Sequence, residues 1–153
     1  MSTYWPASGT KTRNWSDFSK PDINSGRIDL RNTTTTLCAK QKRNTPIGLE
    51  DDGHILAEGA YIVIEGNNDT AIALQKASTL ACNDVELRGD FQQSVWASSG
   101  SMFVGGFLTD VSNLSADTSA RINVEKLNGK IRGTVTAKRC ATIALPERNI
   151  VGD

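Results

Sequence analysis

A single histidine, His54, stands in 153 residues. Any Ser-His-Asp or Cys-His catalytic group would have to use it, and no Gly-x-Ser-x-Gly elbow supports such a group. Neither Cys-x-x-Cys nor His-x-x-x-His occurs, so no zinc site follows from spacing. Phosphate-binding glycine loops of the Gly-x-x-x-x-Gly-Lys-Ser/Thr or Gly-x-Gly-x-x-Gly type are absent as well. Beside His54 lie Glu50, Asp51 and Asp52, without the alternating acids of a calcium loop. The expectation is a chain with no catalytic residue, no cofactor and no metal, hence not an enzyme.

Cysteine is scarce and odd in number: Cys38, Cys82 and Cys140 are far apart, which argues for free thiols rather than a disulfide framework. No window reaches the about 18 apolar residues of a membrane-spanning helix. The first residues have no apolar core of a signal peptide, so a virion or cytoplasmic location is expected, with no membrane partner. Net charge is zero, which removes any overall pull toward nucleic acid. The Lys40-Gln41-Lys42-Arg43 cluster lacks interleaved aromatics and reads as a solvated loop, so nucleic acid is not an expected partner. Zero net charge hides an asymmetry: residues 1–49 carry eight Lys/Arg against three acids, net +5, and residues 50–153 carry −5.

Aromatics make up only 6% of the chain, yet Tyr4, Trp5, Trp15 and Phe18 stand in a stretch otherwise rich in Ser, Thr and Asn. Such side chains bury large areas and need a surface to cover. Residues 1–26 are therefore expected to form an extended N-terminal arm with those four residues as assembly contacts, ahead of a single β domain over 27–153.

What the chain does have is short β-branched and alternating runs. Arg27–Leu30, Thr33–Lys40, Ile55–Glu65, Val85–Phe91, Ser94–Ala97, Met102–Leu108 and Ala141–Leu145 read as strands, with possible breaks at Gly59 and a stop at Pro146. Asp110–Ser119 reads as a polar connection. Asp69–Ala81 reads as the one candidate helix, capped by Asp69, although Ile72 and Leu74 alternate as in a strand. Asn128-Gly129 is a strong signal for a two-residue hairpin loop. Folding the chain there pairs Ile122 with Val135 and Glu125 with Arg132, and sorts Ile122, Val124, Ile131 and Val135 onto one face. Gly129 is expected at positive φ. Gly133 marks a bulge or a close approach of another backbone.

The expected fold is all-β: an antiparallel β-sandwich or barrel of about eight to ten short strands. An alternative is a β-helix-like stack. The segments GDFQQSVWASSGSMFVGGF and GKIRGTVTAKRC resemble rungs of bactofilins, the bacterial β-helical filament proteins, over at most residues 85–153. The resemblance implies stacked strands. Its glycines, Gly89, Gly105, Gly133 and Gly152, are spaced by 16, 28 and 19 residues, which is not a fixed period. The expected function is a non-enzymatic structural protein of virion or surface-layer type. It would form a homo-oligomer, its partner being itself, or would decorate a larger protein assembly. A monomeric ligand-binding or partner-binding β module is the alternative.

Overall fold

The computed structural model describes residues 3–5, 12–15, 22–23, 27–29, 31, 34–38, 47–49, 53–66, 69–109, 111–146 and 148–153. These form strands β1 (Thr3–Trp5), β2 (Thr12–Trp15), β3 (Asp22–Ile23), β4 (Arg27–Asp29), β5 (Thr34–Cys38), β6 (Ile47–Leu49), β7 (His54–Gly66) and β8 (Thr70–Leu74). There follow β9 (Thr79–Gly89), β10 (Gln93–Ala97), β11 (Met102–Thr109), β12 (Asn113–Asp117), β13 (Arg121–Asn128), β14 (Val135–Lys138), β15 (Thr142–Ala144) and β16 (Asn149–Val151).

Among the described residues all ladders but one are parallel. One sheet runs β4-β7-β9-β11-β13-β15, and the other runs β3-β6-β8-β10-β12-β14. From β7 to β14 each turn of chain adds one strand to each sheet, and the molecule is a parallel β-solenoid of about four turns. This overturns the antiparallel sandwich or barrel expected from the sequence. The lone antiparallel pair is β15 with β16, which folds back over the end of the stack. The Asn128-Gly129 hairpin does not form. Ile122 pairs with Phe103 on one side and Ile143 on the other, while Val135 pairs with Leu114 in the second sheet. Gly129 does take a positive φ of 87°, but Asn128 does not, so no type I′ loop is present. The expected helix is also corrected: Thr70–Leu74 is β8 and buries Ala71, Ile72 and Leu74. Asn113–Asp117, read as a connection, is β12.

Side-chain alternation builds the core. In β9 the buried residues are Leu80, Cys82, Val85 and Leu87, and the two consecutive outward residues Asn83 and Asp84 mark a bend. The bend recurs at Gly106-Phe107 of β11 and Glu125-Lys126 of β13. In β7 it is a bulge between Ala57 and Tyr61, where Gly59 (φ 72°) donates its N–H to Asn83 Oδ1 at 2.8 Å. The long strands β7, β9, β11 and β13 thus each have a first and a second half.

Among the described residues, the four corners from second sheet to first between β8 and β15 are made alike. Consecutive positive-φ residues stand at Lys76-Ala77, Ser99-Gly100, Thr118-Ser119 and Arg139-Cys140. A small buried residue follows each pair: Ser78, Ser101, Ala120 and Ala141. Corner stacks on corner through backbone bonds, Ala77 N–H to Ser99 O at 3.0 Å and Ser119 N–H to Arg139 O at 3.0 Å. Only one of these eight residues is glycine, so most corners hold an L residue in a region it disfavours.

Among the described cysteines, Cys82 is buried and Cys140 exposed, both as free thiols. Burial, then the charge of Asp84, pushes the Cys82 thiol up to about 12. The side chain of Cys38 lies outside the described residues. In a Cys38→Ser background, a thiol-reactive dye at pH 8 should therefore label Cys140 at once and Cys82 only after unfolding. Immediate labelling of both would contradict the closed core.

Candidate functional site

The C-terminal end of the stack is closed on one half and open on the other. The cause is a mismatch of strand lengths. β13 spans eight residues and β15 only three. Pairing of β13 with β15 ends at Asn123 with Ala144. Pro146 then stops β15, and Leu145 donates its N–H to Arg148 O at 2.8 Å, which turns the chain back into β16. Ile150 lies half-buried against the core, and Gly152 donates its N–H to Ala141 O at 2.8 Å. That closes the first half of the first sheet. Over the second half, Glu125–Asn128 pairs with β11 only and has no strand on its other side among the described residues.

A groove of about 750 Å³ lies on this open edge. Its walls are the turn Leu145-Pro146-Arg148 and the loop Gly129-Lys130-Ile131, and Phe107, Glu125, Lys126 and Leu127 complete the lining. Leu127 continues the inward column Ile62, Val85 and Leu108. Those three are fully buried, whereas Leu127 and Ile131 are only half-buried. The interior of the solenoid thus reaches the surface here. Among the described residues three cations, Lys126, Lys130 and Arg148, line it with one carboxylate, Glu125.

A second polar cluster lies on the outer face of the second half. Tyr61 donates its hydroxyl hydrogen to Glu86 Oε2, and Arg88 bridges Glu86 at 3.1 Å and Glu65 at 3.4 Å. The hydrogen bond from Tyr61 and then that from Arg88 hold Glu86 below its usual range, and the same bond to Glu86 raises Tyr61. Burial, then the Glu86 charge, raises Asp84. Two carboxyls displaced in opposite directions are the pattern of an acid–base pair. Here, however, Glu86 is already engaged by Tyr61 and Arg88 on an open sheet face. The arrangement reads as a cross-strand ladder that ties β7 to β9.

The expected assembly contacts fall at the other end. The backbones of Tyr4 and Trp5 lie in β1, which pairs with β4, and that of Trp15 lies in β2, which pairs with β5. The side chains of these three residues and all of Phe18 lie outside the described residues, as do Asp51, Asp52 and Lys40–Arg43. His54 sits in register between Arg27 and Thr79. Among the described residues no group of three or more His, Cys, Asp or Glu could hold a metal ion.

Sequence reading did not single out the groove. It placed Glu125 in the expected hairpin and read Pro146 as a strand stop. Only the stacking brings these two beside Lys130 and Arg148. No protein-family model matches the chain, and no curated protein or solved structure is significantly similar to it. The parallel stack agrees with the β-helix-like alternative, and none of these comparisons supports a relation to bactofilins.

Proposed function

We propose that the chain is a non-enzymatic structural protein that self-assembles, or decorates a larger assembly of virion or surface-layer type, through its N-terminal edge. One observation carries this reading. Among the described residues, β1 pairs only with β4 and β2 only with β5, so both are edge strands. An edge strand offers a row of backbone donors and acceptors to another chain. Stacked repeats need a closing element at each end, or a neighbour in its place. Tyr4, Trp5 and Trp15 are carried on these same two strands, where a neighbouring copy would cover them. The net +5 of residues 1–49 against the −5 of the remainder adds an attraction between copies that acts within a Debye length of about 8–10 Å.

The in-chain pairing changes how the first 26 residues act in this proposal. Their described strands β1 and β2 contribute a paired edge that meets the neighbour, rather than a loose arm. Sedimentation velocity over a range of micromolar concentrations tests it. The full chain should sediment above its 16.5 kDa monomer mass, and a chain lacking residues 1–20 should move toward that mass with its far-ultraviolet spectrum still β. A full chain at 16.5 kDa at every concentration would overturn the proposal. The groove at the opposite end favours the second reading, a monomeric partner-binding module.

A further inference from the structure

We propose that the C-terminal groove takes an extended acidic segment of another protein, which adds as a strand to the open edge of β13. The inference goes beyond self-assembly and concerns the opposite end of the molecule. Backbone, floor and rim each bear on it separately.

The backbone calls for an extended occupant. Glu125–Asn128 has β11 on one side and none of the described strands on the other. An exposed edge of this kind is completed by strand addition, in which main-chain bonds supply affinity and alternate side chains supply specificity. The chain does not complete it itself, because Pro146 and the Leu145–Arg148 turn divert it into β16.

The floor calls for an apolar residue at alternate positions. Leu127 is half-buried where Ile62, Val85 and Leu108 of the same column are sealed, and Ile131 is half-buried beside it. One inward apolar side chain of an added strand would continue the column.

The rim sets the charge and selects the partner. Among the described residues Lys126, Lys130 and Arg148 line the groove with a single carboxylate, Glu125. A second copy stacked end to end would bring β2 to this edge. Continuing the register, Thr12 would fall on the Lys126 column and Arg13 on the Leu127 column. That brings the strand carrying another cation, Arg13, to an edge with three cations, which like-charge repulsion opposes. Acids on the outward positions of a foreign strand satisfy the same rim.

The test titrates the full chain into labelled peptides of about eight residues and reads fluorescence anisotropy. One peptide alternates Glu with Val and the other alternates Lys with Val. The acidic peptide should bind at least ten-fold more tightly, and more weakly as salt rises. The double variant Lys130→Glu/Arg148→Glu should lose at least ten-fold in affinity for it, while Lys76→Glu, on a distant corner, should leave it unchanged. Thermal unfolding of each variant confirms that the fold is retained. Equal binding of both peptides, no binding of the acidic one up to millimolar protein, or undiminished binding by the double variant would each overturn the proposal. So would a rise in wild-type self-association that the double variant abolishes, since the occupant would then be a second copy. Loss of self-association on removal of residues 1–20 reads the other end and leaves this result untouched.

Discussion

Gly89→Ala is expected to cost at least about 3 kcal/mol of folding stability, and to do so through the backbone of the neighbouring turn. Gly89 has a φ of 134°, which side-chain-bearing residues rarely adopt. A Cβ built on it would lie 1.7 Å from the carbonyl oxygen of Gly66 and 2.8 Å from its carbonyl carbon. Neither atom can swing away, because β7 and β9 are paired from His54 with Thr79 to Gly66 with Gly89. The two turns would have to separate at that corner and give up the bond from Asp90 N–H to Gly66 O. Gly100→Ala is the control. Gly100 has a φ of 74° and open space where a Cβ would stand, so only the left-handed backbone cost of about 1 kcal/mol should appear. Urea denaturation of both variants measures the difference. Equal losses would mean that Gly66 and Gly89 are not stacked.

A second large effect is expected inside the stack. Phe103 is fully buried and is the largest such side chain, so Phe103→Ala should cost about 3–5 kcal/mol. Gly105 shares the inward side of β11 with it. A Cβ on Gly105 would stand 2.8 Å from Phe103 Cε1 and 3.0 Å from Cζ. Gly105→Ala alone should therefore cost about 1–3 kcal/mol by overpacking. In the Phe103→Ala background the added methyl enters vacated space. The double variant should be more stable than the sum of the two losses by at least about 1 kcal/mol. Denaturant titration of the four proteins completes the cycle, and additive losses would show that the ring does not lie over Gly105.

The hairpin argument shows how far the sequence can be read. Alternation correctly placed Ile122 and Val124 in the core, and the Asn128-Gly129 signal correctly gave Gly129 a positive φ. It named the wrong partner for Ile122. In a solenoid, two successive strands of one turn face the same interior from different sheets, so inward residues line up as they would in a hairpin. Alternation tells which way a residue faces and leaves open which strand lies beside it. The breaks at Gly59 and Pro146 were legible because each has a local cause, a bulge and a missing donor. Gly133 was legible in part: a Cβ there would stand 2.0 Å from Asn113 Oδ1, which accepts the Thr134 N–H at 2.7 Å.

The repeat was hidden for a physical reason. Its corners are marked by positive φ, but Lys76, Ala77, Thr118, Ser119, Arg139 and Cys140 carry none of the glycine or asparagine that signals such turns. The buried residue after each corner recurs at Ser78, Ser101, Ala120 and Ala141, at intervals of 23, 19 and 21 residues. The first-sheet strands shorten from 13 residues in β7 to 11 in β9 and 8 in β11, while the link to the second sheet lengthens from three residues after β11 to six after β13. The groove follows from the last step of that shortening, β13 to β15. Strand length at the end of the chain was visible in Pro146, but which strand it would leave uncovered was not.

Amide hydrogen exchange along β13 in the dilute monomer tests the central claim, a parallel stack with one covered and one open half at its C-terminal end. Amides of Ile122 and Asn123, flanked by β11 and β15, should exchange slowly. From Glu125 to Asn128 roughly every second amide, the one directed away from β11, should exchange fast. The matching amides Asp84–Glu86 of β9, with strands on both sides, should all be slow. Uniform protection from Glu125 to Leu127 with rapid exchange confined to Asn128 and Gly129 is the signature of a hairpin, and it would contradict both the parallel stack and the open edge.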